Sequence, residues 1–220
     1  MFKIFTDFDG TISTTDVGDA LFDRFADTNW SGVVQEWIDG KISSKEVFRR
    51  GCESSSLTKQ QLEAFCDQQQ IDPYFAEFIA YCRRQGHPVI VLSDGLDYYI
   101  QRILNNHGFG ELQVYANELV FMDHDKIRPE FPYFEKGCLI CGNCKGFHLR
   151  AHRNDGDILV YIGDGYSDRC AVPEADVLFA KNDLKNYCVE RNIPFNEFIT
   201  FAEVVQKLQQ IEENLNRMGK

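Results

Sequence analysis

Phe2-Lys3-Ile4-Phe5-Thr6-Asp7-Phe8-Asp9-Gly10-Thr11 runs from a short apolar segment straight into an acidic, glycine-containing turn. An apolar run that stops at a polar cluster has strand character. The pattern recurs twice. Val89-Ile90-Val91-Leu92 ends in Ser93-Asp94-Gly95, and Ile158-Leu159-Val160-Tyr161-Ile162 ends in Gly163-Asp164-Gly165-Tyr166-Ser167-Asp168. Continuous apolar runs of this kind fit strands buried on both faces, as in a parallel sheet. Val177-Leu178-Phe179-Ala180 reads as a fourth strand and Val114-Tyr115-Ala116 as a further short one. Residues 119–122 and 126–131 alternate around His124-Asp125 like a hairpin.

Between Asp16 and about Arg84 the period is helical. Leu21, Phe22, Phe25 and Ala26 recur at helical spacing, as do Leu62, Phe65 and Cys66, then Phe75, Phe78, Ile79 and Cys82. Breaks at Asp39-Gly40, Ser54-Ser55-Ser56 and Asp72-Pro73 separate these helices. Further helices are expected over 97–106 and near 201–216. Strands alternating with helices predict an α/β fold with a doubly wound parallel sheet. The helical block is too long for a simple crossover. It reads as an all-helical cap, residues 16–85, inserted into a core of residues 1–15 and 86–220. Strand order does not follow from these patterns.

In an open α/β sheet, ligands bind at the carboxyl ends of the strands. The three polar clusters should therefore share one crevice. Asp7, Asp9, Asp164 and Asp168 would repel one another there unless a divalent cation sat among them. A small set of oxygen ligands suits Mg²⁺, which keeps waters and shares its shell with a phosphate.

The order and spacing of these pieces resemble the haloacid dehalogenase-like phosphatases. Asp7-Phe8-Asp9-Gly10-Thr11 matches the D-x-D-x-T nucleophile loop of that family, and Ser93 matches its motif II Ser/Thr. Lys145 matches the motif III lysine at a helix start, with Lys136 and Lys181 as competitors, and Gly163-Asp164-x-x-x-Asp168 matches motif IV. The resemblance implies that Asp7 attacks phosphorus and that Asp9 serves as acid and then base. It further implies that Mg²⁺ is held by Asp7, the Asp9 backbone carbonyl and Asp164, with Asp168 orienting the outer shell. Ser93, Lys145 and the N–H groups of Asp94 and Gly95 would grip the phosphoryl oxygens.

A helical insertion at this point resembles the cap of the phosphoserine phosphatase subfamily. Asp16 stands where that subfamily carries a glutamate facing the substrate amino group, one methylene shorter. Arg50, on an expected cap helix, either reaches a substrate carboxylate, as a cap arginine does there, or is a solvated arginine beside Arg49. A closer resemblance is to the methionine-salvage phosphatases acting on 2-hydroxy-3-keto-5-methylthiopentenyl-1-phosphate. These share D-F-D-G-T-I, an Asp at the position of Asp16, and a cysteine-rich run before the motif III lysine. Phosphoethanolamine and phosphocholine phosphatases have a related region, so the run does not settle the substrate.

Composition sets the outer limits. With 220 residues, 44% hydrophobic and 26% charged, the chain suits one substantial core with a smaller appended domain. A net charge of −11 argues against an extended nucleic-acid surface. It permits a small phosphorylated metabolite as partner, because one lysine, a metal and backbone N–H groups can invert the local field. No apolar run approaches the roughly 18–20 residues that span a bilayer. The N-terminus does not read as a signal peptide, so a cytoplasmic location is expected. Nothing in the sequence fixes the oligomeric state.

Of eight cysteines, Cys52, Cys66, Cys82, Cys170 and Cys188 lie among apolar residues and are expected to be reduced core thiols. Cys138, Cys141 and Cys144 form C-x₂-C-x₂-C, the spacing of a soft-metal site with three ligands. His148 or His124 would complete a tetrahedral Zn²⁺ site; packed thiols or a disulfide are the other readings. Two competing functions remain beside hydrolysis: a phosphotransferase or mutase of the same fold, and a non-catalytic metal- or redox-sensing module built on these cysteines.

Overall fold

In the computed structural model, residues 1–218 are described. The chain runs β1 (Phe2–Thr6), α1 (Val17–Phe25), α2 (Trp30–Ile38), α3 (Ser44–Ser54), α4 (Lys59–Cys66) and α5 (Phe75–Gln85), then β2 (Val89–Leu96) and α6 (Asp97–Asn106). There follow β3 (Gln113–Phe121), β4 (Ile127–Glu130), α7 (Lys145–Ala151), β5 (Ile158–Gly163), β6 (Val177–Ala180), α8 (Asn182–Glu190), β7 (Asn196–Glu197) and α9 (Phe201–Met218). Among the described residues no helix is long and apolar enough to cross a membrane.

Alternating side chains along the strands build two apolar layers, one on each face of the sheet. Ile4, Val91, Val160, Ile162 and Phe179 enter the larger layer, with α5, α6 and α9. Phe5, Ile90, Leu92, Leu159, Tyr161 and Leu178 point the other way, onto Leu149 of α7 and Leu184 and Cys188 of α8. Burial on both faces explains why these strands read as unbroken apolar runs.

The strands lie in the order β4-β3-β2-β1-β5-β6-β7, all parallel except β4. β1 sits between β2 and β5, with Thr6 paired to Val91 on one side and Ile162 on the other. The chain leaves β1 towards β2 and β3, then crosses back to β5. The order reverses there, and the carboxyl ends of the three strands lie side by side.

The hairpin is larger than its sequence pattern suggested. β3 is one continuous strand that absorbs residues 114–116, pairing in parallel with β2 and then antiparallel with β4. His124 and Asp125 occupy the turn with positive φ. The helical insertion docks on this hairpin, where Leu57 N donates to the Asp125 carbonyl at 2.9 Å and Lys126 Nζ to the Ser55 carbonyl at 3.1 Å. Its helices start on side-chain caps: Asp16 accepts from Asp19 N, Ser43 from Glu46 N, and Thr58 forms a reciprocal box with Gln61. α5 differs from α1–α4 in its partner. Phe75 and Phe78 pack on Phe201 of α9, with ring centroids 5.0 and 4.7 Å apart.

Candidate active site

The turn after β1 is pinned before it carries any chemistry. Asp7 N donates to the Ile162 carbonyl at 2.9 Å, Phe8 is fully buried, and its carbonyl accepts from the backbone N–H groups of Thr11, Ile12 and Ser13. Gly10 takes φ +70°, and a Cβ there would strike the Asp164 carboxylate. Only glycine allows the turn to press this closely on the end of β5.

Asp7 and Asp168 share one buried cation. Lys145 Nζ, at the first residue of α7, lies 2.8 Å from Asp7 Oδ1 and 2.5 Å from Asp168 Oδ1. Asp168 Oδ1 also accepts from the Tyr161 hydroxyl at 2.5 Å, and its Oδ2 from the N–H groups of Asp164 and Gly165, both at 2.8 Å. Burial opposes ionisation of Asp168, but Lys145 and these donors outweigh it and hold its carboxyl below the usual range. Burial likewise opposes the Lys145 charge, and Asp168 and Asp7 more than offset it, raising its pKa. Asp7 goes the other way. Burial, then the Asp168 charge, push it well above the carboxylate range despite Lys145.

Asp9 faces the opposite wall. Its Oδ1 accepts from Val17 N at 3.1 Å, and its Oδ2 from Ser93 Oγ at 3.1 Å and the Tyr99 hydroxyl at 2.9 Å. Burial still prevails over these bonds and raises its pKa. Asp164, bonded to Thr11 Oγ1 at 2.9 Å, is raised to about 6 by burial and by Asp168.

Ser93 and Asp94 are buried in the last turn of β2. Gly95 N donates to Ser93 Oγ at 2.8 Å. Asp94 Oδ1 accepts from Asn143 N at 2.6 Å, while its Oδ2 is buried without a partner, and burial raises the carboxyl to about 6. Asn143 in turn donates to the carbonyls of Ser93 and Tyr115, binding the α7 loop to β2 and β3.

Above these groups lies a cavity of about 320 Å³ lined by Asp7, Asp9, Asp16, Ser93, Asp94, Gly95 and Asp164 at its floor and rim. Trp30, Val34, Trp37, Ile38 and Phe48 from α2 and α3 form an apolar wall, with Trp37 edge-on to Tyr166 at 4.8 Å. Among the described residues no lysine or arginine lines it. Asp16 stands at the rim, exposed to cavity solvent. Enclosure, then the charges of Asp9 and Asp19, raise its pKa.

The structure thus brings Asp7, Asp9, Asp16, Ser93, Asp94, Gly95, Lys145, Asp164 and Asp168 to one crevice. Arg50 is not among them. Its guanidinium pairs with Glu46 at 2.8 Å and Glu36 at 2.9 Å and does not line this cavity. Lys136 instead sits over the Tyr133 ring and Lys181 over Phe198. Tyr161, Asn143 and the apolar wall were not singled out in the sequence. Tyr161 belongs to an apolar run and Trp30 and Trp37 to a helical stripe, patterns that read as packing.

The cysteines also depart from expectation. Cys52, Cys66, Cys82 and Cys188 are buried free thiols, but Cys170 is only partly buried, its Sγ 3.8 Å from Cys141 Sγ. His148 Nε2 is taken by Asn143 Oδ1 at 2.6 Å, and His124 lies at the hairpin turn. Neither histidine completes the cysteine cluster.

The donor set suits a hard divalent cation. Asp7, Asp164 and Asp168 offer carboxylate oxygens within 4.8 Å of one another, more negative charge than one lysine balances. Asp168 has its oxygens committed to four donors, which leaves Asp7, whose Oδ1 alone takes Lys145, and Asp164 as direct ligands.

A sequence model of the haloacid dehalogenase-like hydrolases matches residues 4–172. The chain is 29% identical over 216 residues to the 2-hydroxy-3-keto-5-methylthiopentenyl-1-phosphate phosphatase of Brevibacillus brevis, covering 96% of this chain and 97% of that protein. It is 32% identical over 220 residues to Pdp3-interacting factor 1 of Schizosaccharomyces pombe, covering 94% and 95%. A solved phosphoserine phosphatase, an analogue of its phospho-aspartyl intermediate, superposes with a TM-score of 0.71 at 20% identity over 94% of this chain and 99% of that one.

Proposed function

The chain belongs to the haloacid dehalogenase-like hydrolases and is a phosphatase; from that premise we propose that it hydrolyses a small phosphomonoester through a phospho-aspartate at Asp7. The observation that carries this reading is the division of labour between two carboxylates two residues apart. Asp7 bonds the Lys145 ammonium, whereas Asp9 is held in the cavity by the neutral hydroxyls of Ser93 and Tyr99.

An Asp7 oxygen forms a bond to phosphorus as the ester P–O bond breaks, and Asp9 passes its proton to the departing alkoxide. Asp9, now ionised, takes a proton from the water that attacks the same phosphorus. Inorganic phosphate leaves and Asp7 is restored. Ser93 holds the phosphoryl oxygens together with Lys145, which gives up one of its bonds to Asp7, Asp168 and Ser167 for the phosphate, and Asp168 keeps Lys145 aimed. Asp7, the Asp9 backbone carbonyl and Asp164 would hold Mg²⁺, which would supply neutralisation of phosphate charge. Within the 16–85 insertion, α1–α4 act as the cap that excludes water during attack, while α5 packs on α9 against the sheet.

The cavity favours one substrate type. A phosphoserine carboxylate would find no lining cation among the described residues, in a cavity to which Asp16 and Asp19 add acidic groups. An uncharged, hydroxylated chain ending in an apolar thioether suits the Trp30–Trp37–Phe48 wall, and 2-hydroxy-3-keto-5-methylthiopentenyl-1-phosphate has that chemistry. The test is phosphate release with Mg²⁺ from both compounds, with excess sugar acceptor in a parallel arm. Higher kcat/KM for the methylthio ester, with free phosphate from the first turnover, is expected. Preference for phosphoserine would overturn the substrate assignment, and phosphate delivered only to acceptor would overturn hydrolysis.

A further inference from the structure

The loop before α7 folds its cysteines onto the turn after β5. Cys141 lies beside two of the other cysteines, its N–H reaching Cys138 Sγ and its thiol meeting that of Cys170. Cys141 Sγ and Cys170 Sγ are 3.8 Å apart. Zinc–thiolate bonds of ~2.3 Å in a tetrahedron set neighbouring sulfurs about 3.8 Å apart. One edge of such a tetrahedron is therefore already in place, and loading would contract the rest, since only the acid triad has its ligand atoms all within 4.8 Å among the described residues.

The backbone supports the first of these sulfurs. Cys141 N donates to Cys138 Sγ at 3.4 Å. This bond runs from residue i+3 to the sulfur of residue i, so Cys138 closes its own turn. Leu139, between the first two cysteines, takes φ +62°, a conformation unfavourable to a side chain. A Cβ on Gly146 would collide with the Cys170 carbonyl, so the approach of the two segments depends on that glycine.

We propose that Cys138, Cys141, Cys144 and Cys170 form a tetrathiolate site for a structural Zn²⁺. Its place in the fold explains its use. Cys144 immediately precedes Lys145, and Cys170 follows Asp168 by two residues, so the ion would tie together the two segments that carry the Lys145–Asp168 pair. The same loop reaches the helical insertion, where Gly142 N donates to Ser44 Oγ at 2.6 Å and Ser44 N to the Ile140 carbonyl at 3.0 Å.

Metal analysis of tag-free protein, purified under thiol reductant and washed with EDTA, tests the site. One equivalent of zinc per chain should remain, and replacement by Co²⁺ should give thiolate-to-cobalt charge transfer, which the acid triad cannot produce. Cys170→Ser should weaken zinc binding at least about tenfold and shift the cobalt spectrum, whereas Cys188→Ser, at a remote buried thiol, should change neither. Absence of cobalt–thiolate absorption in the wild-type chain, an unaltered spectrum in Cys170→Ser, or a Cys141–Cys170 disulfide persisting under reductant would each overturn the proposal.

Discussion

The Tyr99 hydroxyl donates to Asp9 Oδ2 at 2.9 Å from a fully buried ring on α6. A donor to the ionised carboxyl lowers its pKa, so Tyr99 opposes the burial that raises Asp9. Tyr99→Phe removes that donor and lets the Asp9 pKa climb further. A general acid loses activity as pH rises through its pKa, so the alkaline limb of kcat/KM should move to higher pH. The kcat at neutral pH should fall about tenfold as Asp9 loses its fixed orientation. A pH–rate profile with an unmoved alkaline limb would separate Asp9 from the proton transfer.

Lys145 compensates two buried carboxylates, and among the described residues no other cation bonds to either. Lys145→Met keeps the volume and strands Asp7 and Asp168 without a counterion, which should cost roughly 3–5 kcal/mol. Thermal melts should fall by roughly 10 °C for a chain of this length. The deficit should shrink on adding Mg²⁺, and shrink again as pH falls, because protonation removes the uncompensated charges. Lys145→Arg should not restore activity, since a planar fork does not fit a fully buried slot shaped for one ammonium. Equal melting of the wild type and Lys145→Met at pH 8 would show that the pair contributes nothing to stability.

Asp94 carries a different liability. Its Oδ2 is buried and unpartnered, and its pKa rises from 3.8 to about 6. The folded state therefore binds its proton more tightly than the unfolded chain does. The resulting stabilisation is fully present below the unfolded value and is lost as pH rises through about 6. Asp94→Asn keeps an oxygen for Asn143 N and removes the charge. In metal-free protein it should be more stable than wild type at pH 8, on the order of 2 kcal/mol, and no more stable near pH 4. Chemical denaturation at the two pH values measures this, and a constant difference across pH would assign it to something other than the carboxyl charge.

How much of this was legible in the sequence follows from what each residue does locally. Asp7, Ser93 and Asp164 stand where apolar runs stop, and a strand end is a place in the fold as well as a pattern. The long helical insertion announced itself by its period and its breaks. Strand order was not legible, because the crossover from β3 back to β5 is a long-range choice without a local signature. Cys170 was read as a core thiol because its partners lie more than twenty residues away and only the chain reversal brings them together. Arg50 shows the converse. A helix arginine looks the same whether it faces a cavity or two glutamates, and Glu36 and Glu46 decide the matter in three dimensions.

Trp37 and Arg50 separate an apolar cap from an anion-binding one. Trp37 lines the cavity and packs edge-on to Tyr166, whereas Arg50 lies outside it in exposed ion pairs. Trp37→Ala removes apolar surface that a thioether chain would cover. At about 25 cal/mol per Å², loss of some 80 Å² of contact is worth about 2 kcal/mol, or roughly thirtyfold in KM for the methylthio ester. Inorganic phosphate, which makes no use of that wall, should inhibit the variant as it does the wild type. Arg50→Ala should leave both values within about twofold, because exposed pairs contribute little. If Arg50→Ala raised KM and Trp37→Ala did not, the cap would be reading a charge, and phosphoserine would return as the better substrate.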